Sequence, residues 1–137
     1  MKIAFICTGN SARSQIAEAY AKHFAKIYGK NVEIYSAGAK PAGYIHPFAI
    51  QVLDEEKIDY KEQYSKGLNE IPYSQLDFAI TLCGDAAENC PFVPNIKIIH
   101  WGLPDPAKAS DKEAMEIFRK IRDDIKKKVE ELIKKIP

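Results

Sequence analysis

The 137-residue chain carries 20 basic and 19 acidic side chains, a formal charge of +1, and is 46% hydrophobic and 28% charged. That balance predicts one ordinary globular domain over residues 1–137 and argues against attraction to nucleic acid or membrane by bulk charge. Only four apolar residues, Ile3 to Ile6, follow Met1-Lys2, too few for a secretory leader or a span of ~20 residues. The expectation is a soluble, cytoplasmic monomer whose three cysteines stay reduced, either as inert core residues or as chemistry.

Lys2-Ile6 is a short apolar run bounded by Gly9, as a buried parallel strand should be. From Gln15 onward Ile16, Tyr20, Phe24 and Ile27 recur at helical spacing, with Gly29 as the stop. Val32-Ser36 reads as a second strand ended by Ala37-Gly38, and Pro47 to Glu56 as a helix with proline in its first turn. Asp77-Leu82 and Ile96-His100 are two further strands. The tail reads as a long helix opened by a Ser110/Glu113 capping box, with Ile117, Ile121, Ile125, Val129, Leu132 and Ile136 as its buried stripe. Strands alternating with helices predict an α/β fold, a three-layer sandwich around a central four-stranded parallel sheet covered on both faces. Ligands of such sheets sit beyond the carboxyl ends of the strands. Cys7, Cys83 and Asp105 each follow a predicted strand there.

The segment Cys7-Thr8-Gly9-Asn10-Ser11-Ala12-Arg13-Ser14 lies between a strand and a helix. A tight turn at that point aims backbone N–H groups and the positive helix end at one spot, a cradle for an anion. Gly9 is expected to supply the unusual backbone angles, and Arg13 to grip two oxygens of a tetrahedral anion. The same groups favour a thiolate at Cys7, with Ser14 as a further donor to the sulfur. The alternative is a buried cysteine closing a strand and an arginine on a helix surface.

This segment closely resembles the phosphate loop of the low-molecular-weight protein tyrosine phosphatases and of the arsenate reductases that share their fold. The resemblance continues through Tyr35-Ser36-Ala37-Gly38, Thr81-Leu82-Cys83-Gly84-Asp85-Ala86-Ala87, Cys90-Pro91, His100-Trp101-Gly102 and Asp105-Pro106. The later segments point to the thioredoxin-coupled reductase branch. The resemblance implies that Cys7 attacks arsenate held by residues Thr8 to Ser14, while Asp105 protonates the leaving hydroxide. Cys83 then attacks the Cys7 sulfur and releases arsenite, Cys90 takes over the disulfide, and thioredoxin reduces it. It implies arsenate or phosphate as the bound oxyanion and no resident cofactor or metal.

Were residues 83 to 90 one straight helix, their ends would lie about 10 Å apart, beyond the ~4.4–6.8 Å between Cα atoms that a disulfide tolerates. The segment is therefore expected to change shape with oxidation.

Two departures matter. Ala12 stands where both branches frequently carry a second cysteine, and Ala107-Lys108 follow Asp105-Pro106 where the phosphatases usually place tyrosines. Some such reductases hold potassium near the loop. Asn10, Glu18 and Ser36 match three of its ligands, but Lys66 falls where an aspartate would be, so weak or absent potassium dependence is expected. The competing readings are a phosphatase using Cys7, Arg13 and Asp105, and a non-catalytic anion-binding or redox-sensing module. A zinc site using His46 or His100 is disfavoured because no Cys-x-x-Cys pair occurs. His23, Trp101 and the Lys126-Lys128 run read as packing and surface residues.

Overall fold

The computed structural model describes residues 1–82, 97–103, 106 and 110–137, without the side chains of Asp111 and Lys112. Four strands, β1 (Lys2–Cys7), β2 (Glu33–Gly38), β3 (Phe78–Thr81) and β4 (Lys97–His100), form one parallel sheet in the order β2-β1-β3-β4. Among the described residues three helices, α1 (Arg13–Ile27), α2 (Pro47–Glu55) and α3 (Asp111–Lys134), accompany them.

The period-2 alternation of the strands divides the core. Ile3, Phe5, Ile34 and Ile80 point to the face where all three helices pack, meeting Ile16, Tyr20, Leu53, Phe118, Ile125 and Ile133. Ala4, Ile6, Ala37 and Ala79 point to the other face, covered by Leu68, Ile71 and Leu76. Those residues come from the segment carrying two 3-10 turns, Leu68–Glu70 and Tyr73–Gln75. β1 is thus buried on both sides, which is why it reads as an unbroken apolar run.

Three local expectations shift. Ile27 is 57% exposed, so the apolar face of α1 ends at Phe24 and Ala25. The chain then turns off through Gly29 at φ 62, with Lys30 N–H donating to the Ala25 carbonyl as in a Schellman stop. In α3 the fully buried stripe runs through Phe118, Ile121, Ile125, Val129 and Ile133, while Ile117 and Leu132 flank it half-buried. Ser110 does occupy the N-cap of α3, but its side chain makes no capping hydrogen bond.

The strand order has a consequence for function. From β1 the chain moves out to β2, then returns past β1 to β3. The connections leaving β1 and β3 therefore diverge at the carboxyl edge, the usual crevice for a ligand in open parallel sheets.

Candidate active site

Cys7 closes β1 at this crevice, and α1 begins six residues later at Arg13 with no carboxylate in its first turn. Every carbonyl of the intervening loop is bound from outside. Thr8 accepts from Lys40 N–H, Gly9 from Ala42 N–H and Ser65 Oγ, Asn10 from Gln15 Nε2, Ser11 from His46 N–H, and Ala12 from Ile16 N–H. In a planar trans peptide the N–H opposes the C=O. Carbonyls held in this way leave the N–H groups of residues 9–13 on the opposite side of their peptides, next to the α1 terminus, an arrangement suited to an anion.

The unusual backbone angle falls on Asn10, at φ 47, and not on Gly9 as expected. Asparagine tolerates this region because its side chain bonds locally, and here it is wholly engaged. Oδ1 accepts from Lys66 N–H at 2.8 Å and Gln15 Nε2 at 2.9 Å, while Nδ2 donates to Ser14 Oγ at 2.8 Å and Ser36 Oγ at 3.0 Å. The glycine the loop requires is Gly38. A Cβ there would lie 2.5 Å from the Thr8 carbonyl oxygen and 2.9 Å from Asn10 N.

The Cys7 sulfur is 2.8 Å from Ser14 Oγ, and both residues are buried. Ser14 Oγ already accepts from Asn10, so its hydroxyl hydrogen is available to the sulfur. Arg13 is 3% exposed and donates from Nη1 to the carbonyls of Leu82, at 3.1 Å, and Leu103, at 2.9 Å. Those carbonyls follow β3 and β4, so one guanidinium ties the loop to the segments leaving both strands.

Below the loop, Ser36 donates to Glu18 Oε1, whose carboxylate is also met by Lys22 Nζ at 2.6 Å and Lys66 Nζ at 3.7 Å. Burial pushes the Lys66 ammonium below its ordinary pKa, partly offset by Glu18. Lys66 thus sits beside the very residues, Asn10, Glu18 and Ser36, that the sequence grouped with it.

Residues Cys7 to Ser14 lie together at the turn between β1 and α1. Cys83, Cys90 and Asp105 lie outside the described residues, as does the segment expected to change shape with oxidation. Sequence reasoning missed Gln15, Gln63 and Ser65, polar residues whose roles arise only from long-range contacts. It also found no partner for His46 and His100. His46 caps α2 through Nδ1, which accepts from Phe48 N–H at 3.1 Å, while its ring packs on Phe118. His100 Nδ1 lies 2.5 Å from Thr81 Oγ1, across the β3–β4 pair. Among the described residues, no helix is long and apolar enough to cross a membrane.

The sequence pattern of the low molecular weight phosphotyrosine protein phosphatases matches residues 2–137. An arsenate reductase of Halalkalibacterium halodurans is 42% identical over 130 residues, covering 93% of this chain and 91% of its own. A solved arsenate reductase in the phosphate binding state superposes with a TM-score of 0.82 at 32% identity, over 99% of this chain and 98% of that one. A thioredoxin-dependent arsenate reductase of Corynebacterium glutamicum gives a TM-score of 0.69 at 34% identity, over 97% of this chain and 61% of that one. With the family pattern spanning the loop, the sheet and the last helix alike, this chain belongs to the low molecular weight phosphotyrosine protein phosphatase family.

Proposed function

We propose that this chain reduces arsenate to arsenite, with Cys7 as nucleophile and Cys83 and Cys90 as a thiol relay drained by thioredoxin. The observation that carries the reading is the Cys7 sulfur, bonded to Ser14 at the edge of a loop whose carbonyls are all bound outward. Similarity to named arsenate reductases over nearly the whole chain supports the substrate.

The chemistry balances with three thiols. Arsenate enters the amide cradle, and Arg13 turns from its carbonyl partners to two arsenate oxygens. The Cys7 thiolate attacks arsenic, forming a sulfur–arsenic bond, and a hydroxide leaves as water with the proton of Asp105. The Cys83 thiolate then attacks the Cys7 sulfur. The sulfur–arsenic pair of electrons stays on arsenic, giving arsenite and a Cys7–Cys83 disulfide. Cys90 attacks Cys83, the Cys7 thiolate is regenerated, and the Cys83–Cys90 disulfide passes to a dithiol of the thioredoxin class.

Coupled turnover tests this reading. Arsenate-dependent NADPH oxidation with thioredoxin and its reductase is expected for the wild type and lost over multiple turnovers in Cys7→Ser, Cys83→Ser and Cys90→Ser. If only Cys7→Ser is inactive, and aryl phosphate is hydrolysed regardless of the other two thiols, the protein is a phosphatase of this family. An inert wild type that still binds phosphate makes it a binding module.

A further inference from the structure

A chain of side-chain amides leads from the surface to the Cys7 loop, and a backbone group fixes the orientation of each member. Lys66 N–H, which can only donate, faces Asn10 and therefore selects its oxygen. Asn10 must then turn its NH₂ to Ser14 and Ser36. The end of Gln15 beside Asn10 meets three acceptors, the Asn10 carbonyl, Asn10 Oδ1 and the Tyr64 carbonyl, so it too must be the NH₂. Gln15 Oε1 consequently faces Gln63, which supplies its own NH₂ to that oxygen at 2.8 Å and to the Gln15 carbonyl at 3.0 Å. The order of amides ends at Gln63, whose NH₂ is set by the Gln15 carbonyl, a group that can only accept.

We infer that Gln15 and Gln63 are positioning residues for the nucleophile, holding Asn10 in the orientation that commits the Ser14 proton to Cys7. With Asn10 Nδ2 facing them, both serine oxygens accept, and their own protons go to Cys7 and to Glu18. Were Asn10 reversed, its oxygen would face both hydroxyls and compete with the sulfur for the Ser14 proton. Gln15 opposes that reversal from the fully buried side, and it also draws the Asn10 carbonyl outward at the residue with φ 47. Gln63 opposes reversal of Gln15 in turn. This inference rests on the proposed function only in taking Cys7 as the nucleophile.

The test needs neither arsenate nor thioredoxin. In a Cys83→Ser/Cys90→Ser protein, Cys7 is the sole thiol, and its alkylation by iodoacetamide is followed against pH for the parent, Gln63→Met and Gln63→Glu. Methionine removes the donor at similar volume. Glutamate, an acceptor only, forces Gln15 to turn its NH₂ outward and set its oxygen against three others. The alkylation curve moves to higher pH in both, further in Gln63→Glu, where the rate at near-neutral pH falls about tenfold. Circular dichroism reports whether each variant is folded. Curves that superpose on the parent in both folded variants overturn the inference. So does a shift confined to Gln63→Glu and abolished by high salt, which is a field effect of the new charge. Loss of arsenate turnover by the wild type, with the alkylation shift intact, removes the reductase reading and leaves this one standing.

Discussion

At the scale of single residues, the site depends on how closely β2 approaches the loop after β1. Gly38 lies where any side chain would strike backbone, 2.5 Å from the Thr8 oxygen, and backbone cannot swing aside as a flexible side chain can. Gly38→Ala is therefore expected to lower stability by about 1–3 kcal/mol, read by denaturant unfolding, and to weaken phosphate binding because the loop must shift. Lys66 makes the second residue-scale prediction. Its ammonium sits 3.7 Å from Glu18 Oε1 and 2.9 Å from the Tyr64 carbonyl, supplying a positive charge beside the buried carboxylate. Turnover at constant ionic strength should be unchanged by potassium, and a clear rise with potassium would contradict this. Asn10, Ser14, Arg13 and Cys7 were legible in the sequence because they share eight consecutive positions. Gly38, Ser65 and Gln63 were not legible as parts of the site. Ser65 reaches Gly9 from 56 residues away and Gln63 reaches Gln15 from 48, and no local pattern records such a meeting.

At the scale of elements, helix ends show what sequence patterns do and do not fix. α1 stops at Gly29, the residue type that adopts φ 62 without strain. α2 stops in the same way, with Ile58 N–H donating to the Leu53 carbonyl, yet its left-handed residue is Lys57 at φ 57. Nothing in the local pattern marks a lysine for that conformation. Replacing it removes the strain, so Lys57→Gly should raise stability by about 0.5–1 kcal/mol, measured as a higher midpoint of urea unfolding with an unchanged slope. In α3 the heptad-like choice between Ile117 and Phe118, and between Leu132 and Ile133, was decided by the partners present. Phe118 packs against both His46 and Phe48, and helical periodicity alone cannot rank two adjacent apolar residues. The strands were read within a residue or two because β1 and β3 are buried on both faces, which leaves continuous apolar runs.

At the scale of the molecule, α2 and α3 are joined by charge as well as by packing. Glu55 is forked by Arg119, with Nη2 to Oε2 at 2.7 Å, and is also reached by Arg122, while Glu56 receives Lys126 at 2.9 Å. Hydrogen bonds from Arg119 and from Lys126 hold these two carboxyls below the ordinary value of 4.5. The folded protein therefore binds these protons less readily than the unfolded chain. Their contribution is complete above pH 4.5 and is lost as the pH falls through the folded-state values. Thermal unfolding should show stability declining over that acid range, with a shallower decline in Glu55→Gln and Glu56→Gln. Equal slopes in wild type and variants would contradict the assignment.

The same scale decides the central claim, because in the proposed relay electrons reach Cys7 from thiols remote from it in sequence. The most direct measurement is a single turnover of Cys90→Ser with arsenate and no external reductant, followed by mass-spectrometric mapping of its cysteines. One equivalent of arsenite and a Cys7–Cys83 disulfide are predicted. Arsenate left unreduced, with both thiols still free, would contradict the account.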